Sequence, residues 1–178
     1  MPDDPIAATQ CWLQRAVINL NLCPFAKAVV AKQQVRFVLS EATTPEALLE
    51  DLGNELVLLR DTPAEQIDTT LLIHPQVLTD FLDYNDFLDD ADGLVEALVL
   101  DGVLQVASFH PQYQFAGSDP EDIENYSNRS PYPMLHLLRE DSVARAVEAF
   151  PDPDAIVERN QDTLRTLGHA GWRNLLGL

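Results

Sequence analysis

The sequence predicts a small three-layer α/β/α domain with a mainly parallel sheet of about three strands. Three observations carry that expectation. Short apolar runs at Val35–Leu39, Thr69–Ile73 and Val103–Phe109 have the length and composition of strands. Segments with helical apolar spacing separate them, as in β–α–β units, whose right-handed crossovers make successive strands parallel. Further helical patterns at both ends of the chain are left to cover the second face. A ferredoxin-like α+β sheet is the alternative. A single domain over residues 1–178 is expected, because no repeat, low-complexity segment or linker interrupts the chain.

The elements follow in order. Asp4-Pro5 reads as an N-cap with proline in the first turn, opening a helix that carries Leu13, Val17 and Leu20 and stops near Asn21. Cys23-Pro24 repeats the pattern ahead of a short helix reaching Val30. Thr44-Pro45-Glu46 starts a helix with the stripe Leu49, Leu52, Leu56 and Leu59, ended by Asp61-Thr62-Pro63. After the second strand, Phe81, Tyr84, Leu88 and Leu94–Leu98 mark another helix. Its other face bears Asp80, Asp83, Asp86 and Asp89, which reads as a solvated surface. Asp101-Gly102 suits either a hairpin turn or a helix end, and the helix end is preferred. Beyond the third strand a segment from 111 to 132 lacks either period. Pro133–Arg139, Ser142–Phe150 and Pro153–Leu167 then read as helices, with Gly168 as a stop.

Composition narrows the function classes. Apolar residues make up 46% of the chain, enough for a full core, and no run is long enough to span a membrane. Acidic side chains number 29 against 11 basic, a net charge of -18. Phosphate binding needs a basic face, so neither nucleic acid nor an anionic membrane is an expected partner. The acidic N-terminus lacks the basic and apolar regions of a signal peptide, so a cytoplasmic setting is expected, where Cys11 and Cys23 stay reduced. P-loop, Rossmann glycine, G-x-S-x-G and H-E-x-x-H motifs are all absent.

The residues that could carry chemistry gather around the segment from 111 to 132. Structureless connections of that length are usually functional or disordered, and the aromatic content here argues against disorder. Strands two and three end alike, Ile73-His74-Pro75 and Phe109-His110-Pro111. A residue before proline is held extended, which puts both imidazoles at the carboxyl edge of the sheet, where ligands bind in open parallel folds. The plain alternative is that each His only caps its strand. Cys23, at a helix start with Lys27 one turn on, suits a nucleophile or redox thiol, whereas Cys11 among apolar neighbours reads as core. Cys23, His74 and His110 together offer a three-ligand set for a divalent transition metal. Arg129, flanked by Asn125 and Asn128 and followed by a helix start near Pro133, suits an anion. Tyr113, His136 and Arg139 complete the candidate ligand-binding set. The alternative for Arg129 is an ion pair with Glu124 that pins the loop.

Asn21-Leu22-Cys23-Pro24-Phe25-Ala26, Phe109-His110-Pro111-Gln112-Tyr113-Gln114-Phe115 and the stretch from Asn125 to Arg139 together resemble an uncharacterised bacterial family, a domain of unknown function (number 1415). The likeness spans nearly the whole chain and implies no reaction. Three functions are therefore expected in order: an enzyme acting on a small anionic metabolite, a metal- or ligand-binding protein without turnover, and a protein-interaction module. In the first, His110 is general acid or base, Cys23 the nucleophile and Arg129 the anion anchor.

Overall fold

The computed structural model describes residues 1–150 and 152–178. It is a mixed α/β fold built on a four-stranded mixed sheet. The N-terminal helix α1 (Pro5–Trp12) starts as its sequence dictates, with the Asp4 carboxylate accepting from Ala7 N–H at 2.9 Å and Pro5 in the first turn. It widens into a π-helical turn at Leu13–Ile18 before the chain reverses at Asn21, φ +53°. The short helix α2 (Ala26–Ala31) follows. Strand β1 (Val35–Leu39), helix α3 (Pro45–Asp61), strand β2 (Thr69–Ile73), helix α4 (Phe81–Ala97) and strand β3 (Leu104–Phe109) come next. A 3-10 turn at Ile123–Asn128 lies within the long connection to β4 (Met134–Arg139). Helices α5 (Glu140–Ala149) and α6 (Pro153–Leu176) close the chain.

Two expected helical features are displaced. Helix α2 is capped by Phe25 and has only six residues, so Cys23 does not sit at its N-cap. The expected helix-end placement of this thiol is therefore not found. Gly168 does not end α6 but interrupts it, at φ +64° and ψ 173°, and the helix resumes to Leu176. Helix α4 stops at Ala97, and Val99 (φ +57°) and Gly102 (φ +75°) carry the chain round into β3. Asp101-Gly102 is thus neither a hairpin turn nor the helix cap itself.

The main correction concerns Pro133–Arg139, read from the sequence as a helix and found as β4. Leu135 and Leu138, three apart, suggested helical spacing. The packing instead has period two, with Leu135 and Leu137 on one face and Met134, His136 and Leu138 on the other. The strand order is β1-β2-β4-β3. β1 and β2 pair in parallel, as the crossover rule requires, while β4 lies antiparallel between β2 and β3. Two of the three strand pairs are therefore antiparallel. The element order also differs from the β-α-β-β-α-β unit of a ferredoxin-like sheet.

The sheet buries an apolar cluster on each face. On one side Leu48, Leu52, Leu56 and Leu59 of α3 and Tyr84, Phe87, Ala91 and Val95 of α4 pack on Leu72, Leu104, Leu135 and Leu137. Asp80, Asp83, Asp86 and Asp89 are exposed at the outer surface of α4, as expected. On the other side Trp12, Leu13, Ala16 and Val17 from the N-terminal helices join Leu164, Trp172 and Leu176 of α6 over Leu71, Ile73 and Met134. Among the described residues, no helix is long and apolar enough to cross a membrane.

Candidate functional site

His74 and His110 do follow the last residues of β2 and β3, whose ends are level because Ile73 and Phe109 both pair with Met134. They are not neighbours across one strand gap, since β4 lies between. Both rings turn instead to the α3–α4 side and reach Tyr84, with centroids 5.9 and 5.0 Å from its ring. His74 Nδ1–H donates to Val77 O at 3.0 Å. His110 Nδ1 accepts from Gln112 N–H at 3.0 Å, so its Nε2 carries the proton and donates to Leu78 O at 3.0 Å. Two successive carbonyls of the β2–α4 connection are thereby held, around a Leu78 at φ +55°. The Tyr84 hydroxyl completes this lock by donating to Met134 O and accepting from Phe109 N–H.

This arrangement leaves His110 with both ring nitrogens engaged and the residue fully buried. It offers no free atom for proton transfer, which corrects its reading as general acid or base. Burial pushes His74 down to about 4 and also lowers His110 from its ordinary value. Burial likewise pushes the Tyr84 phenol well up. The capping alternative holds for both histidines. The metal set fails too: Cys23 packs with the cluster on the opposite face, and no three His, Cys, Asp or Glu side chains converge among the described residues.

The long loop is held by its own polar groups. Asn125 is fully buried, its amide oxygen accepting from Phe115 N–H and Ser118 Oγ–H and its Nδ2 donating to Asp119 O. Asn128 donates through Nδ2 to Ser108 O, and its own carbonyl accepts from His110 N–H. Arg129 donates to Tyr113 O at 3.0 Å and Pro120 O at 2.6 Å, with its guanidinium 4.5 Å from the centre of the Tyr126 ring. It pins the loop, as the alternative held, though through carbonyls; Glu124 pairs with Arg165. Tyr113 packs between Phe81 and Phe115. Arg139 is equally engaged, donating to the Leu59 carbonyl in the last turn of α3 and to the Thr62 and Ile67 carbonyls after it. In a strand, positions 136 and 139 face opposite ways, so His136 and Arg139 share no site.

His136 has a different environment. It lies on the face away from α3 and α4, in a cavity of about 440 Å³ between β3 and β4 below and α2, α5 and the start of α6 around it. Trp12, Phe25, Val29, Phe109, Val143 and Phe150 give this cavity a largely apolar wall. Cys23, Thr69, Asn128 and His136 are among its few polar side chains. Thr69 Oγ–H donates to Leu137 O, so its oxygen accepts from His136 Nε2–H, both at 2.7 Å. Nδ1 of His136 is thus left with its lone pair and no hydrogen bond among the described residues. Burial pushes this imidazole down to about 4, so it is neutral at physiological pH. Trp12, 2% exposed, has an indole N–H with no acceptor among the described residues.

Three residues singled out by sequence, Cys23, Asn128 and His136, therefore line one cavity, while Asn125, Arg129, Arg139, Tyr113, His74 and His110 serve the frame. No hydrogen bond joins Cys23 to His136, so they are not a formed nucleophile–base pair. Thr69 and Trp12 were missed, since a Thr opening a strand and a Trp in an apolar helix carry no signal of their own. No curated protein and no solved structure matches the chain. The family model described as a protein of unknown function, DUF1415, matches residues 4–174, and the chain belongs to that family.

Proposed function

We propose that the protein binds a small, mainly apolar molecule carrying a hydrogen-bond donor, held in the cavity over His136. One observation carries this reading. An apolar cavity of about 440 Å³ has at its floor a neutral imidazole with a bare acceptor nitrogen. Ligand sites are typically of this size, mostly apolar, with a few placed polar groups. Thr69 fixes the ring and its tautomer, so the acceptor is oriented before a ligand arrives. The anion expected at Arg129 has less support, because that guanidinium is spent on two carbonyls. The net charge of -18 favours a small-molecule partner over nucleic acid, and a cytoplasmic setting fits the two free thiols. We take the architecture as three-layered, with the cavity between the sheet and the layer formed by the terminal helices.

Binding of the neutral fluorophore N-phenyl-1-naphthylamine tests the reading. Saturable binding is expected, lost in Ala107→Trp, which fills the cavity beside His136. For a hydroxyl-bearing competitor such as a naphthol, His136→Leu should weaken binding about tenfold, the worth of one good hydrogen bond. Absence of saturable fluorescence, or binding unchanged in Ala107→Trp with its circular dichroism intact, would refute the reading.

The enzymatic reading keeps one specific observation, the free thiol of Cys23 on the cavity wall. Mass spectrometry after incubation with small thioesters would reveal an acyl adduct on Cys23 if the thiol turns over such a bond. No adduct on either cysteine would leave binding alone.

A further inference from the structure

A second cavity, of about 660 Å³, adjoins the first. Val17, Cys23, Phe109 and Asn128 line both, so these four side chains form a shared wall. The two chambers differ in chemistry. The first is mostly apolar, its one carboxylate, Asp68, accepting from Ser142 Oγ–H. The second is built from the long loop and one side of α6, with Gly117, Ser118, Asp122, Glu124 and Asn125 facing Asn160 and Gln161. It carries two carboxylates and no Lys, Arg or His among its lining residues. Asn160 donates through Nδ2 to Leu22 O, and its amide oxygen has no donor among the described residues. The chamber is thus rich in acceptors and poor in free donors; Arg129 is held by loop carbonyls, and Arg165 pairs with the chamber's own Glu124, which leaves Asp122 as its unpaired carboxylate.

We propose that the ligand is a single-chain amphiphile lying across both chambers, its alkyl chain over His136 and its neutral or cationic donor-bearing head against Asp122 and Asn160. This rests on the apolar-ligand reading above and goes further by naming the head group and its place. An alkyl chain satisfies the first chamber by burial alone. A head with N–H or O–H groups satisfies the second, where an anionic head would meet the Asp122 carboxylate and find no unpaired cation. The ligand then passes Cys23 at the shared wall and should cover its thiol.

The test uses the full chain with Cys11→Ser, so that Cys23 is the one reporting thiol. Decylamine, decanol and decanoate, each below its micelle concentration, compete with N-phenyl-1-naphthylamine. Iodoacetamide alkylation of Cys23 is followed in parallel. Decylamine and decanol should displace the fluorophore and slow alkylation at least tenfold, and decanoate should need about tenfold more to do the same. Asp122→Asn, which leaves the Glu124–Arg165 pair in place, should bring decylamine close to decanoate, leaving fluorophore affinity unchanged. If all three chains displace the fluorophore equally while Cys23 reacts at its free rate, the two-chamber proposal fails and the apolar-ligand reading stands. A cation preference that survives Asp122→Asn and fades with salt would be the general field of an acidic protein, and would also overturn it. If the fluorophore itself does not bind, the underlying reading has failed instead.

Discussion

Leu135 and Leu137 of β4 point into solid packing beneath α3 and α4, whereas His136 and Leu138 of the same strand line an open cavity. Six residues thus serve two purposes, set only by which way each side chain leaves the backbone. On the first side the apolar groups pack into one buried cluster, and each buried histidine donates to a carbonyl, although His74 Nε2 and Thr70 Oγ1 have no partner among the described residues. On the second the helices meet the sheet over Leu71, Ile73 and Met134 but stand away from it over His136. Helix α5 has no fully buried residue, yet Val143, Ala146 and Val147 line the cavity. Close packing and an open site are divided across one sheet: the unpartnered His74 Nε2 is sealed in the first, whereas His136 faces a cavity in the second.

Truncations on the two faces of β4 should differ most. Leu135→Ala should cost about 2–5 kcal/mol, as for a fully packed leucine. Leu138→Ala should cost about 1 kcal/mol, because a side chain beside a void has already lost partner atoms on one side. Urea unfolding of the two variants decides it, and equal losses would mean that the cavity is filled in solution.

Acid should distinguish the two histidines. His74 and His136 are each pushed down to about 4 in the folded protein, against about 6.5 unfolded. Between those values the unfolded chain binds the extra proton, so folding stability falls as pH drops from 6.5 towards 4 and is unaffected by this route above pH 7. A sealed His74 corresponds to roughly 3 kcal/mol over that window. His136 should contribute less, since water in the cavity can solvate its imidazolium. Stability measured against pH should flatten more in His74→Gln than in His136→Gln, and the reverse order would place the sealed ring on the wrong side.

The two arginines give the finest contrast. Arg139→Met, on the packed side, strands the Thr62 and Ile67 carbonyls, leaves Leu59 O with Thr62 N–H alone, and should cost about 2–3 kcal/mol. Arg129→Met, in the exposed loop, should cost about 1 kcal/mol. Thermal unfolding reads both. Lys at position 139 should restore little, because one ammonium cannot reproduce the planar fork.

Much of this frame was legible in the sequence. Val35–Leu39 and Thr69–Ile73 coincide with β1 and β2 because β-branched runs between turn residues have few other uses. Asp4-Pro5 and Thr44-Pro45 marked their helices because cap and proline act locally. β4 was misread because a short leucine-rich run fits either period, and only its partners β2 and β3 decide between them. The prolines after His74 and His110 correctly placed both at strand ends. Which carbonyl each ring would find depended on the fold of the Val77–Leu78 turn, which no local spacing encodes. His136 was singled out, but for a helix face; its cavity arises from how α5 and α6 return over the sheet.

The position of β4 also bears on how the chain is made. β3 has β4 as its one partner in the sheet, and β4 is the last strand in the sequence. During synthesis β1 and β2 can pair early, but β3 must wait with both edges unsatisfied until Arg139 has left the ribosome. β2 keeps an open edge for the same interval. Such late central insertion slows folding and leaves edges that other chains can join. A nascent chain stalled before Met134 should therefore be the aggregation-prone species.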